Sequence, residues 1–272
     1  EVGQVSAPVA GNNGVYVFKV YDRNKDAKEY NEAEEIKTLD LHAQIGDLKG
    51  VDKENKIVEI FRNVAQQILS GYFLVQKNQS DSCVKVHPTC VEIYYHEEGD
   101  RGDKIKDYIV YHRNNDDGKM DKSLFPLGIL HNHVSGIDMT FEKGDNPQDA
   151  IRMSALIREF RMDDSKKLED NYCMDYLELK RNRRGNIVTK PTYLYDALYS
   201  QFSVFDGFSI QWVDGENLVE LEEESEVRVN VPQFKRDERN MVVKVLASEG
   251  DGDATANKMY RQCLRKWNFK VK

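Results

Sequence analysis

The chain has 272 residues, enough for one large domain or for one domain with a small appendage. With 40% hydrophobic and 32% charged residues it has the composition of a globular protein with a buried core, and no run approaches the roughly 18 apolar residues of a membrane span. The formal net charge of −8 argues mildly against nucleic-acid binding, although basic segments at 180–186 and 257–272 allow a local cationic face.

The chain begins with Glu rather than Met and lacks the basic-then-apolar pattern of a signal peptide, so we expect the natural start to lie further upstream. Its four cysteines show no CxxC spacing. We therefore expect reduced thiols and a cytoplasmic location, with a disulfide between Cys83 and Cys90 as the alternative.

The first 45 residues differ from those that follow. Asn12-Asn13-Gly14 predicts a turn between two strands, and the acidic segment 28–43 predicts a charged helix. A "G-x-V-S-x-P-V" turn before a "G-x-x-V-x-K-V" strand resembles the closing strand and tail of a parvulin-type peptidyl-prolyl isomerase, over residues 1–43. Because none of that domain's active-site region is present, we expect residues 1–45 to be an appendage without isomerase activity.

A domain boundary is predicted at 46–55, and an amphipathic helix follows it. Apolar residues recur there at i, i+3, i+4 and i+7. They are Ile57, Ile60, Phe61, Val64, Ala65, Ile68 and Leu69. The segment "YFLVQK" predicts a strand, and "VKVHPTCVEIYYHEE" predicts a strand or a bent pair of strands. Further short strands outnumber helices, without a regular strand-helix alternation, so we expect a strand-rich α+β single domain over residues 50–272.

His131 and His133 form a His-x-His pair, and alternation along a strand would place both imidazoles on one face. "HNHVSG" resembles the His-x-His-Pro-Ser-Gly core of JAMM-type metallopeptidases, with Val134 in place of the proline and no Ser-x-x-Asp at the expected spacing. A zinc site with an open position would need a third ligand from a carboxylate. The candidates are Asp138, Asp145 and Asp149. In the other interpretation, "HNHVSGIDMTFE" is a strand that lines a pocket for a flat organic group, without metal.

The order of several motifs resembles the alkyladenine (3-methyladenine) DNA glycosylase family over residues 56–272. They are the helix "IVEIFRNVAQQILSGYFLV", the strand "TCVEIYYHEE", "YHRN", "GILHNHVSGIDMTF" and "SALIREF". In that family a helix and an "LG-x-x-L-V" strand precede a V-E-x-E-A-Y strand, a P-R-N turn, a Tyr-rich strand ending in Asn and an L-x-R-A-L-E-P strand. The interval from Val91-Glu92 to Arg113-Asn114 is within one residue of the family's. The resemblance implies a methylpurine-DNA-glycosylase-like architecture.

The resemblance also implies a base pocket and a catalytic carboxylate. A flipped base enters a pocket between planar side chains, while a carboxylate activates water for attack on C1′. Glu92 is the acid on the matching strand. However, the position of the family's water-activating Glu corresponds to Tyr94 in this chain. Glu97 or Glu98 could serve instead, and a merely salt-bridged Glu92 is the structural alternative. The candidate stacking residues are Tyr94, Tyr95, His96, His131 and His133.

Other site residues follow from the same correspondence. Asp138 stands where the family has an Asn that reads the flipped base, and Arg158 matches an Arg that contacts base and backbone. An Arg within an apolar strand needs a partner, so we expect Arg158 to pair with Asp138, a neighbouring acid or a phosphate, with a structural ion pair as the alternative. His112 and Arg113 are predicted to contact the DNA backbone, or else to form a solvated turn.

The resemblance thus predicts a monomeric base-excision enzyme that acts on damaged purines in double-stranded DNA, without cofactor, metal or membrane. Two alternatives stay open. One is a zinc hydrolase that uses His131 and His133. The other is a catalytically inactive relative that binds nucleic acid or nucleoside.

Overall fold

The computed structural model describes residues 9–11, 14–16, 48–99, 104–107, 110, 114, 124–125, 128–142, 147–163, 186–226 and 265–272. The chain divides into two compact units, Glu1–Asp40 and Leu41–Lys272. In the first unit, strand β1 (Val9–Gly11) pairs antiparallel with β2 (Gly14–Tyr16), while Asn12 and Asn13 of the predicted turn lie outside the described residues. The predicted charged helix at 28–43 lies outside the described residues.

The second unit begins with helix α1 (Gly50–Ser70), which includes residues 50–55 of the boundary that we predicted at 46–55. All seven apolar residues of the predicted stripe are buried, so the predicted amphipathic helix is confirmed. Gly71 ends the helix, because the following chain turns directly into the sheet. None of the helices in the described part of the chain is both long and apolar enough to cross a membrane.

The strands of this unit form one antiparallel sheet that has eight strands among the described residues. They are β3 (Tyr72–Lys77), β4 (Cys83–Glu97), β5 (Leu130–His133), β6 (Gly136–Thr140), β7 (Ile151–Asp163), β8 (Ile187–Val188), β9 (Phe208–Val213) and β10 (Asn268–Lys270). The order across the sheet is β5-β6-β7-β4-β3-β9, while β8 pairs with β7 and β10 pairs with β4. This arrangement is the strand-rich α+β class that the sequence predicts. Cys83 and Cys90 are free thiols.

The segment "HNHVSGIDMTFE" is two strands rather than the one that we predicted. β5 and β6 form a hairpin that turns at Val134 and Ser135, with His133 opposite Gly136. Gly136 has a φ of +144°, and a Cβ there would lie 2.9 Å from the Cβ of Pro191. The hairpin therefore requires glycine at this position. Pro191 begins a 3-10 turn, Pro191–Tyr193, which leads into the short helix α2 (Leu194–Tyr199).

The two faces of the sheet differ in character. On one face α1 packs against β4 and the C-terminal segment, with the Phe61 ring 5.5 Å from Tyr95 and 5.1 Å from Trp267 between ring centroids. Because side chains alternate along a strand, the residues of β4 between these apolar positions point to the opposite face. That opposite face, which we call the polar face, carries Glu92, Tyr94 and His96.

Candidate functional site

The polar face has one continuous row of side chains across five strands. In the strand register Asp138 lies opposite Leu156, Leu156 opposite Glu92, and Glu92 opposite Asn268, while His131 lies opposite Asp138 on the other side. Directly opposed residues of antiparallel strands point to the same side of a sheet. The row therefore brings together residues that are up to 176 positions apart in the sequence.

Glu92 is completely buried at the centre of this row, and both of its carboxylate oxygens accept hydrogen bonds. Its Oε2 accepts from Arg158 Nε at 2.5 Å and from the Tyr94 hydroxyl at 3.0 Å. Its Oε1 accepts from Asn268 Nδ2 at 2.8 Å. Asn268 is turned toward Glu92 by a second contact, since its Oδ1 accepts from the Cys90 thiol at 3.2 Å.

Arg158 owes its position to an irregularity in the strand pairing. Ile157 lies opposite Val91 and Glu159 lies opposite Cys90, so that Arg158 between them has no residue of its own opposite. Such a bulge redirects a side chain, and here the guanidinium reaches along the strand to Glu92. Arg158 therefore has the acidic partner that its mid-strand position requires, although this partner is Glu92 and not Asp138.

Tyr94 connects the ion pair to the middle of the polar face. Arg158 Nη2 donates to the Tyr94 hydroxyl at 3.1 Å, and that hydroxyl donates onward to Glu92. Burial, followed by the negative charge of Glu92, raises the pKa of Tyr94 well above its usual value, so the phenol stays protonated. Burial lowers the pKa of Arg158, but the neighbouring Tyr94 and Glu92 outweigh this effect and the net pKa is raised.

Asp138 lies beside this network, next to the β5–β6 hairpin. Its Oδ2 accepts a hydrogen bond from the Ser154 hydroxyl at 3.2 Å, and its Oδ1 lies 3.1 Å from His133 Nε2. The Ser135 backbone N–H donates to His133 Nδ1 at 3.2 Å, so the proton of a neutral His133 is on Nε2, the nitrogen facing Asp138. The Ser135 contact orients the imidazole, whereas the approach of His133 Nε2 to Asp138 Oδ1 lacks hydrogen-bond geometry.

His131 belongs to a group of planar rings on the same hairpin. The centroids of His131 and His133 are 6.3 Å apart and their planes differ by 14°. His131 also contacts Phe125. Their ring centroids are 4.3 Å apart and their planes differ by 35°. We did not predict Phe125, because it stands in a segment with no periodic pattern.

Arg152, another residue that we did not predict, organises a second cluster at the far end of the polar face. Its side chain is completely buried; Nε lies 3.1 Å from Glu98 and Nη1 3.1 Å from Glu142, while Nη2 donates to Asn114 at 2.9 Å. His96 Nε2 lies 3.3 Å from Glu98. Burial raises the pKa of Glu98, yet hydrogen bonds from His96 and the Asn114 backbone reverse the shift and lower that pKa to about 2.

This second cluster fixes the position of Phe125. Glu142 Oε2, which pairs with Arg152, also accepts the backbone N–H of Phe125 at 2.8 Å. The buried guanidinium of Arg152 therefore contacts Glu142, which in turn holds the backbone of Phe125, the residue whose ring contacts His131. His96 is held in the same cluster, because its Nδ1 lies 3.0 Å from the backbone carbonyl oxygen of Asp107. It is therefore a structural residue of the polar face, separate from the Tyr94 hydroxyl.

The remaining predicted residues lie elsewhere. Tyr95 faces α1 and donates to Glu97 at 2.8 Å, and Glu97 pairs with Lys53 at 2.7 Å, so these two residues are on the face opposite Glu92. Asp149 pairs with Lys104. The predicted backbone contacts His112 and Arg113, and the candidate ligand Asp145, lie outside the described residues. Among the residues that the structure describes, no group of three His, Cys, Asp or Glu side chains could hold a metal ion.

Comparison of the chain with protein-family models, with curated proteins and with solved structures finds no match.

Proposed function

We propose that the protein removes alkylated or deaminated purines from double-stranded DNA by hydrolysing the N-glycosidic bond after base flipping. The supporting observation is that Glu92, Tyr94, Asp138, Arg158 and the two hairpin histidines lie together on one face of one sheet. These residues were selected by motif resemblance alone, from three separate segments. A site assembled from rigid strands suits a reaction that needs fixed positions for base, sugar and water.

Each residue then has a chemical task. The flat rings of His131 and His133 bind the extruded base, and Asp138 accepts an N–H group of its edge. Glu92 is the proposed general base, and it takes the proton of a water that replaces the Tyr94 hydroxyl at Oε2. The water oxygen bonds to C1′ while the C1′–N bond breaks, and the base leaves with the electron pair of that bond. The guanidinium of Arg158 stays paired with Glu92 and binds the phosphate side of the nucleotide when the backbone approaches.

One observation favours a second candidate, a protein that binds the modified base without excising it. The Glu92 carboxylate is fully buried and three side chains donate to it, whereas a general base needs a lone pair directed at the reacting water. If these contacts persist when DNA is bound, the site recognises a base and performs no chemistry.

The experiment compares the single variants Glu92→Gln and Glu97→Gln. Both replace a buried carboxylate of β4, but Glu97 lies on the face against α1, so it controls for the general cost of losing such a charge. On duplex DNA with a single 3-methyladenine or hypoxanthine, Glu92→Gln should slow excision about 10²–10⁴-fold, the usual contribution of a general base. Glu97→Gln should excise at close to the wild-type rate once both variants are shown to be folded.

Measurements of DNA binding, and of excision after chelation of metal ions, distinguish the candidate functions. Affinity for a duplex with an abasic-site analogue should change little in Glu92→Gln, because phosphate contacts dominate DNA affinity. Excision should survive exhaustive chelation, whereas zinc at one per chain together with loss of activity on chelation would support the hydrolase that uses His131 and His133. A wild-type protein that binds the modified duplex and never excises would favour the second candidate.

A further inference from the structure

Strand β9 is an edge strand whose sequence does not protect it. Within the described part of the chain β9 pairs with β3 alone, through six residue pairs in unbroken register. Its six residues, "FSIQWV", include no charged residue and no proline. Proteins usually protect an edge strand with charges, proline or a bulge, because a bare edge pairs readily with another strand. The outer edge of β9 is therefore suited to accept a further strand.

The pairing with β3 identifies the backbone groups of β9 that point outward. The Asn78 N–H donates to the carbonyl oxygen of Gly207 at 3.0 Å, so Gly207 is directed at β3. Successive residues of an antiparallel strand direct their N–H and C=O groups to opposite sides. Every second residue after Gly207 is therefore directed at β3 as well. Phe208, Ile210 and Trp212 direct their backbone groups to the outer edge.

A well-ordered turn places apolar side chains next to this edge. Phe205 is 97% exposed and Val204 is 78% exposed. The carbonyl oxygen of Ser203 accepts from the N–H groups of Asp206 and Gly207 at 3.1 and 3.2 Å, and its hydroxyl accepts from the Phe205 N–H at 3.2 Å. These bonds hold the Phe205 ring in solvent beside a bare strand edge. Such a fixed and exposed apolar group is typical of a contact surface.

We propose that β9 is the interface of a two-fold symmetric dimer, in which the β9 strands of two copies of this chain pair antiparallel about Ile210. In this register Ile210 lies opposite Ile210 of the second copy, and Phe208 lies opposite Trp212. All three outward-directed residues then exchange backbone hydrogen bonds, whereas a shift by two residues would leave one of them without a partner. A two-fold axis brings the same edge of both copies together, so the edge is its own complement. The proposal replaces the monomer that the family resemblance implies.

Two further features favour a second copy as the partner. Antiparallel pairing directs the apolar turn of one copy toward the segment that follows β9 in the other, where Leu218 is 64% exposed. Asp206 and Asp214 flank the edge, which disfavours a nucleic-acid strand or an acidic peptide. These carboxylates approach each other between the copies, but each has a partner within its own copy. Lys77 lies 2.9 Å from Asp206, and Trp212 Nε1 donates to Asp214 at 2.9 Å.

The size of the contact indicates a dimer of moderate affinity. A buried aromatic side chain removes about 150–250 Å² from water, so the two copies of Phe205 contribute roughly 300–500 Å². A stable interface buries about 1,200–2,000 Å² in total. The two strand edges and the neighbouring apolar side chains must supply the remainder, which places the interface near the lower limit. We therefore expect a dimer that dissociates on dilution.

Sedimentation velocity of the full chain over a wide range of concentrations tests the dimer. The wild type should pass from monomer to dimer as its concentration rises. Phe205→Ser should weaken the dimer about tenfold or more, the effect expected for removal of an aromatic anchor from an interface. Val51→Ser is the matched control, because Val51 is 71% exposed in the first turn of α1, and it should dimerise as the wild type does.

A charge exchange tests the register. In the proposed pairing Ser209 of one copy lies opposite Gln211 of the other. The double variant Ser209→Lys/Gln211→Lys should therefore be monomeric, and so should Ser209→Glu/Gln211→Glu, because like charges then face each other across the interface. An equimolar mixture of the two double variants should form a heterodimer, since opposite charges then face each other. Circular dichroism and thermal unfolding establish that each variant is folded.

Three results would overturn the proposal. The first is a folded wild type that stays monomeric at its highest attainable concentration. The second is a dimer that Phe205→Ser and both double variants leave unchanged, which would place the interface elsewhere. The third is a mixture of the two folded double variants that forms no heterodimer. The interface residues are not among the proposed site residues, so these results do not depend on whether the protein excises bases.

Discussion

Glu92 illustrates how little of a residue's environment is present in its local sequence. Alternation along "VEIYYHE" places Glu92 and Tyr94 on one face, but we still counted Tyr95 among the stacking residues and Glu97 as a substitute acid, and both lie on the opposite face against α1. The donor to Oε1 is Asn268, which is 176 residues away on β10. No local pattern contains a strand pairing over such a distance, so that contact could not be predicted.

Arg158 was predictable as a paired residue, and its partner was not. An arginine within an apolar strand must be neutralised, and removing one member of a buried ion pair leaves an uncompensated charge at a cost of about 3–5 kcal/mol. The choice of Glu92 over Asp138 depends on the bulge at Val91 and Cys90, which shifts the guanidinium along the strand. The ion pair also explains why a completely buried carboxylate at Glu92 is tolerated on the polar face.

The acid sensitivity of the fold should depend on Glu98. The pKa of this residue is lowered from 4.5 to about 2, so it favours the folded state fully above pH 4.5 and loses that contribution as the pH falls toward 2. Between pH 4.5 and pH 3 the urea midpoint of the wild type should therefore fall more than that of Glu98→Gln. Glu59→Gln, at an exposed glutamate paired with Lys56, should follow the wild type. Equal slopes for wild type and Glu98→Gln would contradict this assignment.

Among the elements, α1 and the β5–β6 hairpin show the strength and the weakness of periodic patterns. The stripe from Ile57 to Leu69 matches the buried side of the helix residue for residue, because one face of a long helix packs on one sheet. We predicted a single strand here, because the β-branched Val134 at the turn is a residue type that is typical of strands. Ser135-Gly136 is a dipeptide that marks turns, although a glycine in a strand pattern is also consistent with a bulge.

Helix α1 should be the element on which the stability of the second unit depends most. Phe61 is completely buried between Tyr95 and Trp267, so Phe61→Ala should lower the free energy of unfolding by about 3–5 kcal/mol. Val51→Ala lies on the same helix at a side chain that is 71% exposed, and it should change stability by less than about 0.5 kcal/mol. Urea unfolding measures both. A loss below about 1 kcal/mol for Phe61→Ala would show that the helix packs loosely.

At the scale of the whole molecule, residues 1–40 form a compact unit of their own. The site residues all belong to the second unit, and an isolated two-stranded hairpin is at best marginally stable. If the proposed function is right, deleting residues 1–40 should therefore leave excision unchanged within error, and the unfolding temperature of the remaining unit should be unchanged as well. A large loss of activity in a deletion variant with a normal circular dichroism spectrum would assign the first unit a part in function.

The pairing of β10 with β4 has a consequence for how the protein is made. A ribosome releases β4 long before residues 268–270 exist, so the nascent chain must hold Glu92 next to Arg158 and Tyr94 while its third donor is still missing. Closing so long a loop is entropically costly and slow, whereas the β5–β6 hairpin can form as soon as it emerges. We therefore expect the β5–β6 hairpin to form early in synthesis, and the hydrogen-bond environment of the Glu92 carboxylate to be completed last, when the final strand has docked.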